Sequence, residues 1–137
     1  MTEVFLDTSF AIALASPTDE YHQKAEDLAA EIGLRKTRLV TTRAILLEIG
    51  NRLARLRYRK EAVRVLSSLE TSPGVEILPL SEDLYQRGLD LFRKRPDKEW
   101  GLVDCISFQV MQDRGITQSL TTDGHFEQAG FRALLRN

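Results

Sequence analysis

Val4-Phe5-Leu6-Asp7-Thr8-Ser9 runs three apolar residues straight into a carboxylate and two hydroxyls. A short apolar run bounded by polar residues reads as a buried strand, and Val4 and Phe5 favour that state. The residues that follow, Phe10-Ala11-Ile12-Ala13-Leu14-Ala15, read as helix. Asp7 therefore sits where a strand ends and a helix begins. In open α/β sheets that carboxyl edge is where ligands bind. The same residues also suit a plainer role, with Asp7, Thr8 or Ser9 capping the helix. On this stretch alone both readings stay open.

The chain outward from this point alternates strands and helices. Ser16-Pro17-Thr18-Asp19 is a turn cluster. Tyr21, Ala25, Leu28, Ala29 and Ile32 recur at helical spacing, and Gly33 is expected to end that helix. Leu39-Val40-Thr41 reads as a second strand, followed by helix from Arg43 to about Arg57 and again from about Lys60 to Leu69. Val75 to Leu78 is a third strand, placed toward a sheet edge because Glu76 interrupts it. Ser81 caps a helix to about Arg93, with Glu82 and Asp83 favouring its N-terminus. After the break at Arg95-Pro96-Asp97, a helix covers Gly101 to Arg114. Ser119-Leu120-Thr121 is a fourth strand. It leads through Thr122-Asp123-Gly124 to a short helix at Phe126–Ala129 and a last apolar run, Phe131 to Leu135. Such alternation implies βαβ units and a mainly parallel sheet, with right-handed crossovers.

The length of 137 residues reads as one domain, residues 1–137. An apolar fraction of 42% and a charged fraction of 28% fit an ordinary soluble globule. No apolar run is long enough to span a bilayer, and the N-terminus carries no secretory apolar region. The expectation is a cytoplasmic protein with no membrane partner. The single cysteine, Cys105, excludes an internal disulfide and any multi-cysteine zinc site. Its apolar flanks point to a buried, inert thiol.

A net charge of −1 hides an uneven distribution. Between Arg35 and Arg64 ten basic residues face only Glu48 and Glu61, an excess of eight positive charges. Arg43, Arg52, Arg55 and Arg59 belong to this band. It reads either as a polyanion-binding face or as a solvated, arginine-rich helical surface.

Three more acids fit a plain core badly. Glu48 lies in Ala44-Ile45-Leu46-Leu47-Glu48-Ile49, and Asp104 in Leu102-Val103-Asp104-Cys105-Ile106. A charge inside an apolar helical run is either on the exposed stripe or held by a partner. Arg52 is four residues beyond Glu48, so an i,i+4 ion pair is its plain structural account. Asp104 has Ser107 and Phe108 at those offsets and no cation. Asp123 repeats the setting of Asp7, after a β-like run and before Gly124. If helix N-termini meet the strand carboxyl edge, Asp7, Glu48, Asp104 and Asp123 converge. Converging carboxylates repel, and hard divalent cations such as Mg²⁺ relieve that cost through oxygen ligands. Such a site suits phosphoryl chemistry.

These residues bring out a family pattern. Phe5-Leu6-Asp7-Thr8-Ser9, Glu48-Ile49-Gly50-Asn51, the stretch from Trp100 to Phe108, and Thr122-Asp123-Gly124-His125-Phe126 with Gly130-Phe131 resemble the PIN-domain family. The resemblance is to its small stand-alone members in particular, the VapC-type toxins. It covers nearly the whole chain, and the Asp19, His22 and Ala25 spacing fits it too. It implies an α/β three-layer sandwich, a parallel sheet in the order 3-2-1-4-5 with helices on both faces. It implies a Mg²⁺- or Mn²⁺-dependent endoribonuclease with RNA as substrate. Asp7 and Asp104 would be the main metal ligands, and Glu48 and Asp123 would bind a second metal or orient water. Thr8, Ser9, Asn51 and Thr122 would hydrogen-bond around them. A cognate antitoxin and a homodimer are the partners such proteins take.

The remaining candidates carry less. His22 and His125 without cysteine partners make a weak zinc set, and His125 reads as packing the turn after Asp123 ahead of touching substrate. Trp100 reads as packing at a helix entrance rather than stacking on a base, and Asp97 as auxiliary at most. Two other functions are weighed against the nuclease. One is a non-catalytic PIN-fold module that binds RNA or protein, which four intact acids argue against. The other is a phosphatase with Asp7 as nucleophile, which the Ser9 position argues against because an Asp-x-Asp pattern is absent.

Overall fold

The structure is a computed structural model that describes residues 2–136. Strand β1 (Glu3–Leu6) leads into α1 (Thr8–Ala15) and α2 (His22–Arg35). Strand β2 (Arg38–Thr42) is followed by α3 (Arg43–Arg52) and α4 (Leu56–Thr71), and β3 (Val75–Leu78) by α5 (Glu82–Lys94) and α6 (Leu102–Arg114). Strand β4 (Gln118–Leu120), α7 (Gly124–Gln128) and β5 (Arg132–Ala133) complete the order. The five strands form one sheet in the order β3-β2-β1-β4-β5, and every pairing is parallel.

A parallel sheet covered by helices needs strands that are apolar on both faces. Val4, Phe5, Leu6, Val40 and Leu120 meet that need and are buried. Phe5 pairs in register with both Val40 and Ser119, so β1 is the centre of the sheet. Its carboxyl end delivers Asp7 beside the end of β4.

Helix α1 packs on α2, α3 and α4, while α6 packs on α5 and α7. An aromatic cluster ties the second group to the sheet. Phe108 of α6 meets Phe126 of α7 edge-on, with centroids 5.0 Å apart, and Trp100 lies edge-on to Phe108 at 5.1 Å. Phe126 in turn contacts Phe5 of β1. Edge-to-face contacts hold ring orientation as well as burying area. They set α6 and α7, and with them Asp104 and Asp123, against the end of β1. Helices α5 and α6 approach closely at Gly88, where a Cβ would lie 3.2 Å from the Ile106 backbone.

Several boundaries differ from the sequence expectation, each for a visible reason. Gly33 does not end α2. The helix runs to Arg35 and stops where Lys36 enters the left-handed region at φ 52°. The Thr37 N–H bonds to the Ile32 carbonyl and the Lys36 N–H to that of Gly33, a Schellman closure. The single helix expected to about Arg57 stops at Arg52, because Leu53 turns into the core. The guanidinium of Arg59 then satisfies the Ala54 carbonyl in the turn, and α4 starts earlier than expected, at Leu56. The fourth strand ends at Leu120, one residue early, which frees Thr121 for another role. The short helix at Phe126–Ala129 begins earlier, at Gly124, because Asp123 caps it.

The third strand, the α5 cap and the burial of Cys105 follow the sequence expectation. β3 is an edge strand, and its Glu76 is paired with Arg114, which also holds Glu3. Ser81 caps α5 through the Leu84 N–H. Cys105 is fully buried, and burial together with the Asp104 charge pushes its thiol up to about 11. Among the described residues no helix is long and apolar enough to cross a membrane.

Candidate active site

Asp7 occupies the N-cap position of α1, yet its side chain makes no cap hydrogen bond. Its Oδ2 instead accepts the hydroxyl of Thr121 at 2.7 Å and that of Ser9 at 3.3 Å. The plain capping account of Asp7 therefore fails. The residue is 6% exposed. Burial is the main reason its carboxyl is pushed up from 3.8 to about 7, with the charges of Asp104 and Glu48 adding and the Thr121 bond opposing.

Glu48 and Asp104 are each held by a neighbour far in sequence, and Asp123 by one two residues away. Glu48, on α3, accepts the Thr8 hydroxyl at 2.5 Å. Its i,i+4 partner in sequence, Arg52, does not pair with it, and among the described residues the Arg52 side chain has no hydrogen bond or ion pair. Asp104 lies in the first turn of α6, where the helix dipole favours a negative charge. Its Oδ2 accepts the Gly101 N–H at 3.1 Å and faces His125 Nδ1 at 3.1 Å. Burial raises its carboxyl, the Gly101 bond works against that, and the Asp123 charge adds to it. Asp123 caps α7 by accepting the His125 N–H at 2.8 Å. The His125 Nδ1 also lies 3.3 Å from Asp123 Oδ1. With both acids ionised, a carboxylate only accepts, and Nδ1 carries the proton in these contacts.

The four acids line one open cavity of about 440 Å³, with Thr8, Ser9, Thr122 and His125 beside them and Arg52 at its exposed rim. Ser9 does more than touch Asp7, since its Oγ also accepts the Thr122 N–H at 2.9 Å. Thr122 thus contributes its backbone rather than its hydroxyl. Asn51 is not brought to the site and is exposed. Arg52 is about 40° round α3 from Glu48 and faces the cavity, whereas Asn51 is about 60° round in the other sense. Of the basic candidates only Arg52 lines the cavity. Arg43 is paired with Glu70, Arg59 is occupied at Ala54, and Arg55 is exposed at the start of α4.

Two site residues escaped the sequence reading. Thr121 donates to Asp7 and accepts the Asp123 N–H at 3.0 Å, so one hydroxyl spaces two of the acids. A hydroxyl between the Ser119-Leu120 run and Thr122-Asp123 was the available signal. His125, read as packing, contacts two acids; Asp104, Asp123 and His125 present ligand atoms all within 4.8 Å of one another. Trp100 is buried and donates to Gln128, as its packing role requires. His22 ties α2 to the Ala13 carbonyl of α1 and pairs with Glu26. Asp97 pairs with Arg95.

The PIN-domain profile matches residues 4–132. The chain belongs to the PIN-domain family. A solved structure matches the chain over nearly its whole length. That structure is of Mycobacterium tuberculosis VapC20, described as a sarcin-ricin loop cleaving toxin. It superposes with a TM-score of 0.82 at 28% identity, covering 93% of this chain and 95% of that one. In sequence, the chain is 30% identical over 128 residues to the protein named 23S rRNA-specific endonuclease VapC20 in M. tuberculosis strains CDC 1551 / Oshkosh and ATCC 25618 / H37Rv. The match covers 93% of this chain and 95% of each relative. This likeness places the chain among VapC-type PIN-domain proteins.

Proposed function

We propose that this PIN-domain protein is a Mg²⁺- or Mn²⁺-dependent endoribonuclease, and the toxin of a toxin-antitoxin pair working in the cytoplasm. The observation that carries the reading is the convergence of Asp7, Glu48, Asp104 and Asp123 on one cavity, with no cation paired to Asp7 or Glu48 among the described residues. All-oxygen donors of this charge fit a hard divalent cation, and the charges of Asp104 and Glu48 add to the burial that pushes the Asp7 carboxyl up. Bound there, such a cation supplies Lewis acidity, lowering the pKa of a water and offsetting charge on a phosphate.

The chain's own residues do the rest. Asp7 and Asp104 hold the cation, while Glu48 and Asp123 complete the acidic wall and orient water for in-line attack on the phosphodiester. Thr121 and Ser9 fix the Asp7 carboxylate, Thr8 fixes Glu48, and His125 fixes Asp104. Such outer hydrogen bonds set ligand orientation. No side chain needs to become a nucleophile. The relatives' action on 23S rRNA supports RNA as the substrate class. A cognate antitoxin and a homodimer belong to the same proposal.

The test is cleavage of synthetic RNA hairpins, one carrying the sarcin-ricin loop sequence, with Mg²⁺ or Mn²⁺ and then with chelator. Cleavage should fall at least about 100-fold in chelator. Cutting at an equal rate in both conditions would sink the metal-dependent reading.

The basic band makes a separate expectation. Arg52 and Arg55 have no side-chain partners among the described residues and are free to meet phosphates. In the double variant Arg52→Gln/Arg55→Gln, the slope of log affinity for single-stranded RNA against log salt should shrink by about 1.4, from about 0.7 per phosphate contact. An unchanged slope assigns both to ordinary surface or to a protein partner.

A further inference from the structure

Beside the acid cavity lies a second one of about 310 Å³. It shares Ser9, Arg52 and Thr122 with the acid cavity and continues over Asp19, Glu20 and Tyr21. The two are therefore contiguous, with Arg52 on their common border.

The charges of this second cavity are unspent. Glu20 is exposed, and among the described residues its carboxylate has no hydrogen bond or ion pair. Arg52 is in the same condition, and the two do not bridge to one another. Asp19 is different, because its Oδ1 accepts the Tyr21 N–H at 2.8 Å and fixes the loop. That bond sets the half-buried Tyr21, whose body packs on the hydrophobic core.

A cation and an anion that line one cavity without pairing to each other complement a ligand with an anionic end and an N–H-bearing end. A nucleotide has both. Its phosphate suits a guanidinium, and its base edge can donate to a carboxylate. Among the four RNA bases, guanine alone presents two adjacent N–H donors on its Watson–Crick edge, which match the two oxygens of a carboxylate. Tyr21 also lines this cavity, and aromatic side chains are what unstacked bases rest on.

We propose that this cavity is the subsite for a guanosine adjoining the scissile phosphate, with Arg52 holding the phosphate, Glu20 reading the guanine edge and Tyr21 supporting the base. The position relative to the scissile phosphate rests on the nuclease reading above; the guanine preference itself does not.

The test titrates the full chain, with Mg²⁺ present throughout, with guanosine 3′,5′-bisphosphate and with uridine 3′,5′-bisphosphate. Backbone amide NMR shifts give both affinity and location. The wild type should bind the guanosine probe about tenfold or more tightly than the uridine probe, the discrimination a bidentate base contact supplies, and shifts should centre on the loop around Tyr21. Glu20→Gln should bring the ratio close to one while leaving uridine binding unchanged. Arg52→Gln should weaken both probes by the same factor. A wild-type ratio near one overturns the proposal without any variant, and so does a ratio that Glu20→Gln leaves intact. RNA cleavage without guanosine preference sinks the subsite alone. Guanosine preference without RNA cleavage sinks the nuclease reading and leaves a nucleotide site standing.

Discussion

In chelator, Asp104→Asn should melt no lower than the wild type, and with saturating Mg²⁺ or Mn²⁺ the order should reverse. The first half follows from the charge. Burial and the neighbouring Asp123 already disfavour a negative Asp104. An asparagine removes that charge and keeps an oxygen to accept the Gly101 N–H. The second half follows from linkage, since a ligand that binds only the folded state stabilises it. At a hundredfold excess over the dissociation constant that gain is about 2.7 kcal/mol for the wild type, and the variant forfeits most of it. RNA cleavage should fall with it by at least about 100-fold, because even residues that merely orient metal ligands cost 10–100-fold when lost. A purely structural aspartate behaves otherwise. Losing it leaves its partners unpaired and costs roughly 1–3 kcal/mol whatever the metal. Thermal melts of both proteins in both conditions separate the two. A variant less stable by the same amount with chelator and with metal would make Asp104 structural and remove the centre of the proposed site.

What the sequence made legible is what short-range pattern encodes. Val4-Phe5-Leu6 running into Asp7 marks a buried strand with an acid at its end, and the strand is there. Glu76 breaking an apolar run marks an edge, and β3 is an edge. Glu48 and Asp104 stood out because an acid in an apolar helical run needs a partner. What stayed hidden depends on contacts distant in sequence. Thr121 meets Asp7 across 114 positions and His125 meets Asp104 across 21. On their own, those two residues look like a strand end and a turn. Which members of the arginine band are already occupied is hidden for the same reason. Arg43 counts as one charge among ten until Glu70, 27 residues on, is found against it. Asn51 was drawn in by its place beside Glu48 in a familiar motif, but helix geometry turns it to solvent. The α3 boundary moved because the core claims Leu53, and periodicity alone does not register that demand.

Asp7 should make the metal-free protein lose stability as pH rises from about 4 to about 7. Its carboxyl is pushed up from 3.8 to about 7, chiefly by burial. The folded chain therefore holds this proton more tightly than the unfolded chain does. The stabilisation is complete below pH about 4, where both states are protonated. Above that the unfolded state gives up its proton first, and stability falls by about 1.4 kcal/mol per pH unit until the folded state also ionises. Across the window the loss is about 4 kcal/mol. Asp7→Asn carries no such proton, and its side-chain oxygen still accepts the Thr121 hydroxyl, so its unfolding free energy should lack this component. Denaturant titrations in chelator at closely spaced pH values, taken as wild type minus variant, isolate Asp7 from every other titrating group. Saturating Mg²⁺ should bend the wild-type curve the other way, because ligands bind metal deprotonated and affinity grows with pH. If the two proteins run parallel from pH 4 to 7 in chelator, Asp7 is an ordinary ionised aspartate. The acid cluster then carries no cost at its most buried residue for a cation to relieve.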